Sequence, residues 1–181
     1  IFINTMGRLY YITGGAGSGK SEYAEQLAER LHAELAGPLY YVATMNPAPR
    51  DSDAAARIAK HQTRRAGRGY TTIECPTDIA QLRTQASKNA VFLLEDLTNL
   101  YANEVYGTSG HPHEIVAPLL ELAQQGGALI IAANELYSDG ITYAPETATF
   151  LRDLAGLAAE LSTAADQVTE VVYGIPVQLK A

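Results

Sequence analysis

Short apolar runs recur along the chain, and each is followed by a segment with helical spacing. Leu9–Thr13, Leu39–Ala43, Ala90–Glu95 and Ala128–Ala133 are continuous enough in apolar residues to predict buried strands, and Tyr70–Glu74 a shorter one. Between the first two, Glu22–Leu35 places Tyr23, Leu27, Leu31 and Leu35 on one stripe with charged residues elsewhere, the pattern of an amphipathic helix stopped by Gly37-Pro38. Residues 51–66 predict a second helix, with Asp51 or Ser52 as cap and Asp53 in the first turn, where negative charge is favourable. Residues 78–88 are weakly helical, Leu97–Tyr106 predicts a helix, and another runs from about His113 to Gln125, where Gly126-Gly127 breaks it. A loop from Asn134 to Pro145 is long enough to suggest function, and a helix over about 147–163 follows it. From Val168 to Leu179 the pattern alternates around Gly174, as in a terminal hairpin.

Strands alternating with helices imply a largely parallel sheet covered on both faces. A length of 181 residues suits one domain. The stretch between the first strand and first helix narrows the fold class. Gly14, Gly15, Ala16, Gly17, Ser18, Gly19, Lys20 and Ser21 satisfy the phosphate-loop pattern G-x-x-x-x-G-K-[ST], and do so between a strand and a helix. A helix N-terminus directs free N–H groups and partial positive charge at an anion, while the glycines let backbone amides wrap a phosphate. Lys20 is placed to reach the β- and γ-phosphates of a nucleoside triphosphate, and the Ser21 hydroxyl to hold Mg²⁺. The expected fold is therefore α/β, P-loop NTPase-like (RecA-like): a mostly parallel sheet with helices on both faces and a C-terminal antiparallel hairpin. Residues 1–181 form a single P-loop nucleotide-binding domain on this reading.

The formal net charge of −7 argues against non-specific binding to nucleic acid. The cations are unevenly spread, however: six of the 13 Lys and Arg lie between Arg50 and Arg68. Arg57, Lys60, His61, Arg64, Arg65 and Arg68 share one helical face, with almost no acids interleaved. Such a face is either solvated or meets anions, and phosphates are the obvious anions. His61 stands within it, where neighbouring cations would keep imidazole neutral, both nucleophile and general base. It is the best nucleophile candidate in the chain.

Acids at strand ends complete the site. Glu95-Asp96 close the Ala90–Glu95 run, where a phosphate-loop fold needs a carboxylate for Mg²⁺ or its water, and Thr98 follows. The same pair also reads as a helix cap. Glu74 and Asn134-Glu135 close other strands at the edge where open α/β sheets bind ligands. His111 and His113 have metal-like spacing without further ligands nearby, and read as loop residues. The single Cys75 excludes an internal disulfide and suits a reducing, cytoplasmic setting. No apolar run approaches a membrane span. Residues 1–5 lack the basic start of a signal peptide, and Met6 is a candidate natural start.

Taken in order, these pieces resemble the bifunctional adenosylcobinamide kinase/adenosylcobinamide-phosphate guanylyltransferase family of cobalamin biosynthesis. The resemblance runs through Thr13–Ser21, Tyr41-Val-Ala-Thr44, Asp51-Ser-Asp53 with Arg57-Ile58 and His61, and Thr72–Pro76. It continues through Leu94-Glu95, Leu97-Thr98, Asn134-Glu135, Arg152-Asp153, Ala165-Asp166 and Val171-Val172 with Gly174. It implies two reactions. A nucleoside triphosphate (ATP or GTP) phosphorylates the aminopropanol hydroxyl of adenosylcobinamide, a corrinoid. GTP then guanylylates an active-site histidine, and GMP passes to the phosphorylated corrinoid to give adenosylcobinamide-GDP. The resemblance also implies nucleotide or metal roles for Glu74 and Glu95 and a homotrimeric assembly.

The chain resembles a divergent member. Gly17 stands where the family usually has arginine, Lys60-His61 where it often has two histidines, and Ala158-Ala159-Glu160 where it has an Asn-Gln pair. Lys60 is accordingly a second candidate for the guanylylated residue. Leu136–Pro145 is longer and bulkier than the family's glycine-rich loop. Two other functions fit the residues alone: a P-loop kinase or nucleotidyltransferase for a different alcohol, and a non-catalytic nucleotide-binding regulatory homologue. Retention of Lys20, Ser21, Glu95 and His61 argues against the last.

Overall fold

In a computed structural model of the chain, β1 (Arg8–Gly14), β2 (Leu39–Ala43), β3 (Tyr70–Glu74), β4 (Val91–Glu95), β5 (Ala128–Asn134), β6 (Gln167–Val172) and β7 (Ile175–Lys180) form one sheet. Their spatial order is β3-β2-β4-β5-β1-β6-β7. The structure describes residues 7–45, 59, 63, 65–107, 114–137 and 139–181. All pairings are parallel except β6 with β7, the antiparallel hairpin at the sheet's edge.

Alternation along the strands divides the core in two. Tyr10, Ile12, Tyr41, Leu93 and Ile130 face α1 (Lys20–Leu35), which buries Ala24, Leu27, Ala28 and Leu31 against them. Tyr11, Val42, Phe92, Leu94 and Ile131 face the opposite way, toward α2 (Leu97–Tyr106), α3 (Val116–Gln125), α4 (Pro145–Ala164) and a 3₁₀ helix over Ile79–Gln85. Burial of each such leucine or isoleucine contributes about 2 kcal/mol. Cys75 belongs to the second core, where burial raises its thiol pKa to about 11.

Most expected elements are present, with informative shifts. The helix expected from about 113 starts at Val116 because Pro118, which has no N–H to give, is tolerated only within a first turn. The weakly helical 78–88 is a 3₁₀ segment, and α4 begins two residues before its expected start because Pro145, with its φ fixed near the helical value, suits the first position. Of the helix expected over 51–66, residues 59, 63 and 65 are helical, and the Thr63 hydroxyl donates to the Ala59 carbonyl one turn back. Residue 66, expected to be helical, is already in a turn, and the rest of that stretch lies outside the described residues, as do His111 and His113.

Parallel pairing gathers the strand C-termini on one edge. Gly14 is in register with Asn134, and Ala43 with both Glu95 and Glu74. Every acid singled out at a strand end therefore stands on the edge where β1 delivers the phosphate loop.

Candidate functional site

β1 ends at Gly14, and residues 15–19 turn the chain into α1, whose first helical residue is Lys20. Gly19 caps that helix with φ 92°, and a Cβ there would lie 3.1 Å from Gly174 Cα. Left-handed backbone and close approach both require glycine at this position. Gly15 has neither constraint within the chain, so its place in the motif is not explained by backbone geometry. Two distant segments clamp the loop. The Glu135 amide donates to the Gly14 carbonyl at 3.1 Å, and the Gly174 amide to the Ser18 carbonyl at 2.7 Å.

The Lys20 side chain is 8% exposed, and its ammonium donates to the Gly15 carbonyl at 3.2 Å. Burial lowers its pKa, against the attraction of Asp96 and Glu95. One residue on, the Ser21 hydroxyl donates to Glu95 Oε1, and the Tyr41 hydroxyl donates to Glu95 Oε2 at 3.0 Å. Burial, then the Glu95 charge, raise the Tyr41 pKa so far that its hydroxyl remains a donor throughout the physiological range. The carboxylate is thereby held by both oxygens, facing the start of α1.

Asp96 does different work. It caps α2, accepting from the Asn99 amide at 2.7 Å, and its other oxygen accepts from Asn134 Nδ2 at 3.2 Å. Its backbone is tied to the Thr44 hydroxyl in both directions, each bond 2.8 Å. The two expectations for the Glu95-Asp96 pair, site acid and helix cap, are thus divided between its members. The Thr98 hydroxyl is buried and has no hydrogen-bond partner among the described residues.

The basic face requires a correction. Arg65 and Arg68 do not form an unpaired stack awaiting phosphate. Arg65 is 6% exposed, its guanidinium carbon 3.3 Å over the Tyr41 ring centroid and its Nη1 3.7 Å from Glu25. Arg68 pairs with Glu25 at 2.8 Å and Glu29 at 2.6 Å. The acids that neutralise these cations come from α1, and local sequence around 57–68 carries no sign of them. Glu25 is in turn 1% exposed, on the flank of α1 rather than its solvent side. Arg57, Lys60, His61 and Arg64 lie outside the described residues.

The structure thus brings together Gly14, Gly15, Ala16, Gly17, Ser18, Gly19, Lys20, Ser21 and Glu95. Glu74 stands exposed at the end of β3, on the same face as Glu95 and two strands away, about 10 Å by strand spacing. Sequence reasoning missed Tyr41, Arg65 and Glu25 as the supports of Glu95. One signal was available: a tyrosine in a buried strand must place its hydroxyl on a polar partner.

The donor set fits Mg²⁺. Ser21 and Glu95 supply hard oxygens, and among the described residues no group of three or more His, Cys, Asp or Glu could build a full protein cage. Mg²⁺ takes few protein ligands beside phosphate and water.

Comparison with known proteins decides the family. The model of the family described as "Cobinamide kinase / cobinamide phosphate guanyltransferase" matches residues 10–179. The chain belongs to that family. It is 30% identical over 175 residues to the bifunctional adenosylcobalamin biosynthesis protein CobP of Pseudomonas aeruginosa, covering 93% of this chain and 95% of that protein. It is also 30% identical over 185 residues to CobU of Escherichia coli K12, covering 93% and 98%. The fold is shared with a solved structure at low identity. The flagellar accessory protein FlaH of Methanocaldococcus jannaschii gives a TM-score of 0.56 at 12% identity, covering 97% of this chain and 79% of that one. The chain is a cobinamide kinase/guanylyltransferase-family enzyme with a P-loop, RecA-like fold. At Gly17 the backbone is left-handed with φ 70° and faces open space. Among the described residues no helix is long and apolar enough to cross a membrane.

Proposed function

We propose that this chain performs both reactions of its family on one nucleotide site. In the first, the aminopropanol hydroxyl of adenosylcobinamide attacks the γ-phosphorus of ATP or GTP, losing its proton as the nucleoside diphosphate leaves. In the second, His61 attacks the α-phosphorus of GTP through a ring nitrogen and pyrophosphate leaves. The corrinoid phosphate then displaces the imidazole, giving adenosylcobinamide-GDP. Lys60 is the alternative nucleophile. The observation that carries this reading is the buried Lys20 at the phosphate loop beside the Ser21–Glu95–Tyr41 chain.

Each residue has a stated task. Gly14 to Gly19 offer backbone amides to the phosphates, and Lys20 supplies the cation where charge develops on the transferred group. Ser21 and Glu95 would hold Mg²⁺, which neutralises phosphate charge when bound. Glu74 lies on the nucleotide side of the sheet edge, and Arg57 and Arg64 flank the nucleophile in sequence. The corrinoid would meet the divergent 134–145 loop, where Leu136, Tyr137, Ile141 and Tyr143 line a cavity of about 450 Å³ with Arg152. We further propose that the chain assembles as a homotrimer, as the family resemblance implies. The exposed apolar stripe Ile175, Val177 and Leu179 on the edge strand β7 supports association of copies.

Incubation with α-labelled GTP tests the proposal. An acid-labile GMP adduct should form and map to His61 or Lys60, and adenosylcobinamide with ATP and GTP should become adenosylcobinamide-GDP. In Lys20→Ala both yields should fall at least about 100-fold. A nucleotide-binding protein that forms no adduct lacks the guanylyltransferase half. One that phosphorylates another alcohol and ignores adenosylcobinamide is a different kinase.

A further inference from the structure

β6 and β7 are joined by two residues, Tyr173 and Gly174, with Val172 paired to Ile175 across the turn. Both have left-handed backbones, φ 50° for Tyr173 and 78° for Gly174. Positive φ at both central residues is the type I′ pattern that suits the twist of a hairpin, and glycine, asparagine or aspartate normally fills its first position. A tyrosine there is strained, because its Cβ crowds the following carbonyl oxygen. No packing offsets that strain, because Tyr173 is 95% exposed. A local rule broken without structural return points to use of the side chain.

The position of the turn indicates which use. Gly174 donates its amide to Ser18 and abuts Gly19, so the residue beside Tyr173 is fixed on the wall of the phosphate loop. Val171, two residues before Tyr173, closes against Gly14 at the loop's other end. The ring is therefore exposed on a two-residue turn whose Gly174 is hydrogen-bonded to a loop built for phosphates. The opposite wall of the loop, after β5, carries Tyr137, but that ring is only 36% exposed and is folded into the 134–145 cavity.

We propose that Tyr173 is a stacking platform for the nucleobase of the nucleoside triphosphate whose phosphates occupy residues 14–21. The inference rests on the reading of that loop as a triphosphate site. An aromatic ring on a rigid turn gives area for a purine face at small conformational cost. It recognises the base without discriminating guanine from adenine, so it serves an enzyme whose two steps draw on nucleoside triphosphates.

Calorimetric titration of the full chain separates base from phosphate. The probes are the α,β-methylene analogue of GTP, whose α–β bridge a nucleophile on the enzyme cannot cleave, and inorganic tripolyphosphate, each with Mg²⁺. Tyr173→Gly removes the ring and suits the left-handed backbone, so the turn is preserved. It should weaken the nucleotide analogue about 5- to 100-fold, the range of base–aromatic stacking. Tripolyphosphate should bind within about twofold of wild type, and Tyr173→Phe should retain nucleotide affinity. Equal nucleotide affinity in wild type and Tyr173→Gly overturns the stacking role while leaving the triphosphate site standing. An equal loss for both probes overturns it too, since the residue would then merely support the loop. Wild-type protein that binds neither probe overturns the triphosphate site and the inference together.

Discussion

Two adjacent carboxylates at the end of β4 have separate fates, and the difference is one of surroundings. Glu95 is gripped by two hydroxyls at the loop, whereas Asp96 is buried at the head of α2 with an amide and Asn134 as partners. Burial raises the Asp96 pKa above its ordinary 3.8, although the Asn99 amide works the other way. Between the ordinary and raised values the folded chain holds a proton that the unfolded chain has released, so stability falls as pH rises through that window. Asp96→Asn keeps an acceptor for the Asn99 amide and removes the titration. Urea unfolding of both proteins between about pH 4 and pH 7 should show wild-type stability declining relative to the variant as pH rises. A difference that stays flat, or changes in the opposite direction, excludes this assignment.

At the scale of elements, α1 does more than close one face of the sheet. Its Glu25 holds Arg65 and Arg68, and Arg65 lies on Tyr41, which in turn fixes Glu95. Glu25→Ala leaves a buried guanidinium unpaired, and should cost about 3 kcal/mol in chemical denaturation. Loss within a few tenths of a kcal/mol would show that Arg65 does not depend on this acid. Elements whose residues speak for themselves were legible: β2 from its apolar run, α2 from its spacing, and the phosphate loop from glycines between a strand and a helix. The Glu25–Arg65–Tyr41–Glu95 chain was not, because its members are far apart in sequence and meet only when α1 packs across β2 and β4. Periodicity ranked Glu25 among the solvent-facing charges of α1, and tertiary pairing overrode it.

For the molecule as a whole, the alternation of elements made a parallel sheet legible, while strand order depends on crossovers that periodicity does not encode. That order leaves β7 on the edge with all six of its residues exposed. Pro176 lies in this strand, where a missing N–H is tolerated because, among the described residues, one side lacks a partner strand. The stripe of Ile175, Val177 and Leu179 is costly to leave in water. Sedimentation should give a particle of three 19.4 kDa chains, and Val177→Lys should shift it toward the monomer. A wild-type particle of one chain's mass would remove the trimer. The clamp on the phosphate loop carries a consequence for biogenesis. Residues 14–19 are made early, yet Glu135 and Gly174, which hold them, are made late, and β1 itself is bonded at Leu9 to Asp166. As the chain leaves the ribosome in order, the loop has its glycines long before it has its shape. The shape of the loop is thus postponed until the sheet is assembled, because the bonds that hold it come from residues synthesised after it.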